Sequence, residues 1–505
     1  MQSQAIEIGR YYSIQYPSIV NPRHVMAPQT ECLKPANLVL SRKEQIAHHA
    51  SISSGGEACS RHDSKQANGS WAYQRADVGT DLRGHLVFIP PFIRQSQLSS
   101  CARVPPQPSE REYLLLSQLD QNKRKSVLFI TPSVEMERAS GGALVTVERL
   151  SALAKHHDVT VLAMHVDQMS VNLLTGITWR TAGFLRKRTI RTLLESYTKG
   201  LPLSVWRNST KELLKSAQSL DKEFDLLYAD HWLTIELAKV ARAKTRILHL
   251  HNAEPEVFLR AAKSAKMPNR VVMHHEGRRT AAYLRNNISS FDALHLLSID
   301  DCAALKVHGV SHAKCRVFLP AVRSPGKAPA SFDTRSNKVL FVGTLSWYAN
   351  EEGLNWYIEQ VLPYTNPQHQ SHIVGGGASQ QLKSKLDSHP KTTPYGYVDN
   401  IETLYQTAKC LVAPLLSGSG IKIKIINALA RGLPVVTTPV GIEGFPPGYS
   451  KAIRVTNCPK EFAESIEIFT SDGDLWRTAS QNALDYFNAH FKGGEWQKWA
   501  GTIEI

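Results

Sequence analysis

Lys422 and Lys424 stand two residues apart, just after Ser417-Gly418-Ser419-Gly420, and this stretch holds the clearest chemistry in the chain. Two ammonium groups supply full positive charge. Glycines let an anion approach the backbone where a helix begins and its first N–H groups lack partners. The helix dipole adds only about 0.3–1 kcal/mol when exposed, so the lysines matter more. Together these features suit a diphosphate. An ordinary strand–helix crossover with a solvated lysine pair would have the same spacing, and the pattern alone does not separate the two. A helix is expected over residues 421–431, with Gly432 as its stop and Pro434 beyond. Ile421, Ile425, Ala428 and Leu429 share one face of it, and Lys424, Asn427 and Arg431 another. Residues 434–438, Pro-Val-Val-Thr-Thr, then read as a short strand buried in a parallel sheet.

Further candidates lie at the ends of strand-like runs. The apolar run 125–131 is followed by a loop to Ser140-Gly141-Gly142 and a helix lined by Leu144, Val147, Leu150 and Leu153. Such a unit puts free N–H groups where open α/β sheets bind ligands, although a glycine pair is often only a turn. The run 246–251 ends on His251, and a side chain at the carboxyl end of a strand faces a cleft. His251 is preferred to His249, to which the opposite strand parity is assigned. A purely structural histidine is the alternative, and Glu254 and Glu256 are polar neighbours. A second α/β series opens with the strand 338–343, ending at Gly343. Gly375-Gly376-Gly377 lacks the Gly-x-Gly-x-x-Gly spacing and a following acidic ribose ligand, which argues against a nicotinamide cofactor. No Asp-x-Asp motif stands in a suitable context, so no metal site is expected.

The elements that must position these residues fall into distinct segments. Residues 1–123 are rich in Ser, Gln, His and Pro and read as a low-order extension. Residues 124–320 and 337–490 each alternate strands with helices, joined by a linker at 321–336. A tail, 491–505, carries Trp496 and Trp499, which suit anchoring back on the first domain. The fold class is α/β. Net charge is +15, and a basic excess suits nucleic acid, anionic lipid or phosphate-bearing substrates. No zinc-finger, RNA-recognition or basic-zipper signature is present, so nucleic acid is not an expected partner. Residues 179–207 interleave seven cations with Trp179, Phe184, Tyr197 and Trp206 against the single acid Glu195. That suits an anionic membrane surface or a phosphorylated acceptor, while a packed helix with a solvated basic face gives the same composition. The seven cysteines are scattered and never spaced as CxxC, which favours reduced thiols. With no signal-like apolar start and no long apolar run, the expected location is cytoplasmic, with peripheral membrane contact through 179–207.

The 417–445 stretch resembles the donor-binding segment of the GT-B glycosyltransferases, particularly the family 4 type retaining enzymes that use nucleotide-diphosphate sugars. The likeness is carried by Gly418 to Gly420, Lys424, Ala430 to Thr437 and Gly441 to Gly444, and extends over about residues 124–490. It implies two Rossmann-like domains facing a cleft. The second would hold the donor through Gly343, Gly418, Ser419, Gly420, Lys422, Lys424 and Asn427. Gly141 and Gly142 would line the opposite wall, with His251 orienting the sugar. Many relatives carry two glutamates in this segment, the second gripping the donor ribose. The corresponding positions here are Ser419 and Asn427. Asparagine can bond a ribose hydroxyl but carries no charge, and Glu443 is a candidate to compensate. The implied activity is transfer of a sugar to a hydroxyl of a glycan or lipid-linked acceptor, retaining and without metal or cofactor. A nucleotide-sugar epimerase of the same fold and a non-catalytic sugar-nucleotide binding protein are the alternatives.

Overall fold

Parallel strands buried on both faces need near-continuous Val, Ile and Leu, and this chain supplies two series of them. The computed structural model describes residues 124–137, 140–265, 267–326 and 330–504, and a short antiparallel pairing of Gly79–Thr80 with Leu86–Val87. The low-order extension expected over residues 1–123 otherwise lies outside the described residues.

The first lobe runs through β1 (Ser126–Ile130), α1 (Gly141–His156), β2 (Asp158–Ala163), β3 (Thr178–Thr181) and α2 (Ile190–Thr198). It continues with β4 (Phe224–Asp230), β5 (Ala243–Leu250), α3 (Glu254–Ser264), α4 (Asn269–Asn287), β6 (Ala293–Leu296), α5 (Ile299–Val307) and β7 (Cys315–Val317). All seven strands are parallel, in the order β7-β6-β5-β4-β1-β2-β3. The order reverses between β1 and β4, the switch point outside which open α/β sheets bind ligands. Ser140 caps α1 by accepting from the Ala143 N–H, so the helix starts at the expected glycine pair. Residues 179–207 are not one helix: β3 leads to α2 and then to a short helix, Leu203–Asn208.

The second lobe holds β8 (Lys338–Val342), α6 (Tyr348–Trp356), β9 (Gln370–Val374), β10 (Thr392–Gly396), β11 (Ala408–Ala413), α7 (Ile423–Leu429), β12 (Val435–Thr437) and β13 (Ile453–Val455). Its parallel order, β10-β9-β8-β11-β12-β13, has the same pattern and reverses between β8 and β11. The helix α7 is shorter than the expected 421–431. Lys422 is extended at φ −95° and ψ 95°, so the helix begins after it.

After α8 (Gly473–His490), the last helix α9 (Glu495–Thr502) packs on α1 of the first lobe. Trp496 and Trp499 are buried there against Tyr228, His295 and Phe318. Arg149 of α1 is fully buried beneath them. Its guanidinium carbon lies 4.3 Å from the Trp496 ring centroid, and Nη2 donates to the Phe318 carbonyl at 2.8 Å. Cys302, Cys315 and Cys410 are free thiols, but Cys458 is disulfide-bonded, so the expectation of reduced cysteines does not hold there. Among the described residues no helix is long and apolar enough to cross a membrane.

Candidate active site

The two switch points face each other. At Gly141, which opens α1, an added Cβ would lie 3.3 Å from the Ile423 side chain, which opens α7 of the other lobe. The walls also meet through Arg260 of α3. Its Nη1 donates to the Glu443 carboxylate at 2.6 and 2.7 Å and to the Gly418 carbonyl at 3.0 Å. Asp300 of α5 accepts from the Gly444 N–H at 2.7 Å. Glu443 is therefore on the cleft, with its carboxylate held by Arg260.

On the second lobe, Lys424 reaches back to Gly343, in the loop after β8, and to Asn350, in the first turn of α6. Its Nζ donates to Asn350 Oδ1 at 2.6 Å. An added Cβ at Gly343 would lie 2.8 Å from Asn350 Nδ2 and 2.9 Å from Lys424 Nζ, so a side chain at 343 would displace the lysine. Both lysines are half-buried. Burial, with the repulsion of Lys422 added, pushes the Lys424 ammonium down to about 7. Burial pushes Lys422 down to about 8, opposed by Glu443 and Asp301. An ammonium held this way gains from a bound anion, because the anion restores the charge that burial disfavours. Lys422 Nζ donates to the Gly420 carbonyl. Gly420 has φ +74°, and an added Cβ there would collide with Asn252 of the first lobe, so the close approach requires glycine. Ser419 sits in the same loop, half-buried. Asn427 is turned along α7: Nδ2 donates to the Ile423 carbonyl, and Oδ1 accepts from Arg431 Nη1, both at 3.2 Å.

On the first lobe, Asp230 at the carboxyl end of β4 organises the wall. Its Oδ1 accepts from His249 Nδ1 at 2.7 Å and from His251 Nε2 at 2.8 Å. Its Oδ2 accepts from the hydroxyls of Thr146 at 2.7 Å and Thr131 at 3.1 Å. Burial would raise this carboxyl, but the charge of His251 and the two imidazole hydrogen bonds hold it well below the usual range. Burial pushes His249 down to about 3, so it is neutral. The assignment of His249 to the opposite face from His251 is corrected here: residues two apart in a strand share a face, and both rings bond one oxygen. Depth separates them. His249 is in the core, while the His251 ring opens onto Gly142, where an added Cβ would lie 3.4 Å from Nδ1.

Asp230 was missed because one aspartate ending a strand carries no motif; the β4–β5 register, which pairs Asp230 with His249, is the signal that finds it. His231 follows it at φ +90°, a strained conformation for a residue with a Cβ, and its Nε2 lies 3.4 Å from Glu254. Glu256 pairs with Arg260 at 2.8 Å and His308 at 3.0 Å. Asp230, His249 and His251 are also the one group among the described residues with the ligand types of a metal site. Asp230 Oδ1 stands at hydrogen-bond distance from both imidazoles, whose ring centroids are 4.6 Å apart.

Residues 336–472 match the family model for glycosyl transferases group 1. An uncharacterized 44.6 kDa protein in the cps region of Klebsiella pneumoniae is 25% identical over 373 residues, covering 70% of this chain and 92% of that protein. Among solved structures, sucrose-phosphate synthase from Thermosynechococcus elongatus superposes with a TM-score of 0.58 at 17% identity, over 75% of this chain and 98% of that one. The fold is GT-B. Anabaena HepE in complex with UDP-glucose is similar as well, with a TM-score of 0.54 at 14% identity over 75% of this chain and 99% of that one. In GT-B terms, the β1–β4 and β8–β11 switch points are the two walls of the interdomain cleft, and the group 1 match covers the wall that carries Gly343, Lys422 and Lys424.

Proposed function

We propose that this GT-B protein transfers a sugar from a nucleotide-diphosphate donor to a hydroxyl of a glycan or lipid-linked acceptor. The observation that carries this reading is the lysine pair, with Lys424 held against Gly343 and Asn350 inside the segment that matches the group 1 model. The main catalytic task is to stabilise charge on the departing diphosphate, and preorganised ammonium groups in a narrow cleft suit it. Lys422 and Lys424 do this from the second lobe without calling on a metal. His251, oriented by Asp230, faces the sugar from the first lobe. Retention of configuration rests on the resemblance of the 417–445 segment alone. HepE is a UDP-glucose complex, which supports a nucleoside-diphosphate hexose as donor. The Klebsiella relative in a cps region supports polysaccharide synthesis as the setting.

A second reading is a sugar-nucleotide binding protein without turnover. It is favoured by Ser419 and Asn427 standing where glutamates are expected, and by the Asn427 amide being bonded within its own helix. Thermal stabilisation by UDP-, GDP- and ADP-sugars, followed by assays of donor hydrolysis and transfer, separates the two. Stabilisation with turnover supports the transferase. Stabilisation without turnover supports the binding protein. No stabilisation by any nucleotide sugar removes both.

A further inference from the structure

Cys302 of α5 and Cys315 of β7 are separated by 13 positions in the sequence, yet their Sγ atoms stand 3.8 Å apart. Both are free thiols and half-buried. They pack at the rim of the core that holds Leu294 and Leu305, and they stay partly open because β7 is the edge strand of its sheet. Cys410, the other free thiol among the described residues, is fully buried. A disulfide bond is about 2.05 Å long, so closing this pair takes roughly 1.8 Å of movement. Rotation of the two side chains about their Cα–Cβ bonds covers that distance.

The helix that carries Cys302 serves both walls of the cleft. In its first turn Asp300 accepts from the Gly444 N–H of the second lobe at 2.7 Å. Asp301 accepts from the Ala253 N–H, two residues after His251, at 3.0 Å. Just past its last turn, His308 Nε2 lies 3.0 Å from Glu256. Glu256 holds Arg260, which in turn bonds Glu443 and the Gly418 carbonyl. Cys302 sits between these two ends, so a covalent tie from it to β7 restrains the element from which both sets of contacts depart.

The surroundings of the pair are basic. Lys306 follows Cys302 by one helical turn, and Lys314 and Arg316 stand on either side of Cys315, all three exposed. Positive charge there draws an anionic reagent towards the thiols. Burial, with the neighbouring Cys302 added, pushes the Cys315 thiol up to about 12, opposed by Lys306. A thiol held this way stays protonated at neutral pH, which leaves the first attack to Cys302. It also favours the oxidised form at equilibrium, because the reduced pair gains nothing from a stabilised thiolate.

We propose that Cys302 and Cys315 are a dithiol site for an anionic low-molecular-weight disulfide, and that reaction with it closes them into an intramolecular disulfide that pins α5 to β7. Cys302 Sγ, as thiolate, attacks one sulfur of the small disulfide. A mixed disulfide forms as the small S–S bond breaks, and one small thiolate leaves and takes up a proton. Cys315 then gives its proton to water and its Sγ attacks Cys302 Sγ, expelling the second small thiolate, which is protonated in turn. Two protein thiols are oxidised by two electrons, and one small disulfide is reduced to two thiols. The site stands on the first lobe alone and does not depend on the sugar-transfer reading.

The test is equilibration of the full-length chain with oxidised glutathione, followed by alkylation of the remaining thiols and peptide mass spectrometry. Cys302 and Cys315 are expected cross-linked to each other, and dithiothreitol is expected to release them. The cross-linked chain should melt several degrees higher than the reduced one, because the new bond closes a loop of the unfolded chain. Cys315→Ser should stop at the mixed disulfide, with one glutathionyl group on Cys302 and no gain in melting temperature. Cys302→Ser should form no cross-link. Both positions are half-buried and serine is smaller, so both variants keep the wild-type circular dichroism. The proposal is overturned if both thiols of the wild-type chain remain open to alkylation, if mixed disulfides persist there without a cross-link, or if either thiol pairs with a different cysteine. A cross-linked chain that melts like the reduced one overturns the pinning of α5.

Discussion

Asp230 accepts from His251 Nε2 at 2.8 Å, which leaves Nδ1 of the same ring on the side of Gly142, at the mouth of the cleft. With Nε2 committed to the carboxylate, His251 presents Nδ1 towards the cleft, within reach of a sugar hydroxyl. Asp230→Asn keeps the shape and removes the charge that holds this ring in place. Losing a charge-assisted hydrogen bond of about 1.5–3 kcal/mol predicts a fall in kcat of about ten- to a hundred-fold, with a small change in donor KM. A KM effect without a kcat effect would count against Asp230 as a positioning residue.

The same carboxylate sets an acid limit on stability. Its folded pKa lies well below the usual value, so its contribution is whole above about pH 4 and is lost as pH falls through the folded value. Asp230→Asn is expected to be less stable than wild type at neutral pH, with the gap narrowing in acid. Thermal melts across the acid range check this, and a constant gap would contradict it.

Lys424 predicts a pH profile on the alkaline side. Its folded pKa of about 7 lies below its ordinary 10.5, so between those values the unfolded chain holds the extra proton. The free protein therefore gains stability as pH rises through that window. Diphosphate binding works the other way, because the bound anion restores the charge. Affinity should fall by up to about tenfold per pH unit above pH 7, until the pKa of the complex is reached. Calorimetric titration of nucleoside diphosphate, in buffers of different ionisation enthalpy, should show proton uptake. Lys424→Ala should flatten the profile and weaken binding by about 1–3 kcal/mol. Unchanged affinity would remove Lys424 from the site.

What the sequence made legible follows from what its periodicity encodes. Val127 to Ile130 and Val435 to Thr437 read as strands because a sheet covered on both faces needs unbroken apolar runs. Gly141, Gly142 and the lysine pair could be picked out because each stands in a short motif of glycine or cation at a helix start, and the structure places them on facing walls. Asp230 was not, because its partners His249, His251, Thr131 and Thr146 come from three other elements. The orientation of α2 was hidden for another reason. An amphipathic pattern says that a helix has two faces, but not which one meets the core, and here buried Thr192 and Ser196 take the side that Leu194 would ordinarily occupy.

Gly343→Ala tests the Lys424 contact from the opposite side. The new Cβ would fall 2.8 Å from Asn350 Nδ2 and 2.9 Å from Lys424 Nζ, and both are ends of flexible side chains. They can move, so the stability cost should stay near the low end of the roughly 1–3 kcal/mol typical of overpacking. Moving them breaks the 2.6 Å bond that aims Lys424. Nucleoside-diphosphate affinity should therefore fall several-fold while the melting temperature changes little. A large loss of stability with normal affinity would mean that the glycine serves packing alone.

Trp496 carries the opposite expectation. It is 2% exposed, covers the buried Arg149 guanidinium and packs against Phe318 and Trp499. Trp496→Ala should cost about 3–5 kcal/mol, the usual range for deleting a buried large aromatic. Its route to the cleft is through α1, which starts at Gly141 and passes under α9. If α9 only secures the first lobe, Trp496→Ala assayed well below its melting temperature should bind nucleoside diphosphate with wild-type affinity, since Lys422 and Lys424 are on the other lobe. Lowered affinity under those conditions, with the fold intact by circular dichroism, would show that α9 sets the spacing of the two walls, because the Gly141–Ile423 approach is the contact that a shift of α1 would open.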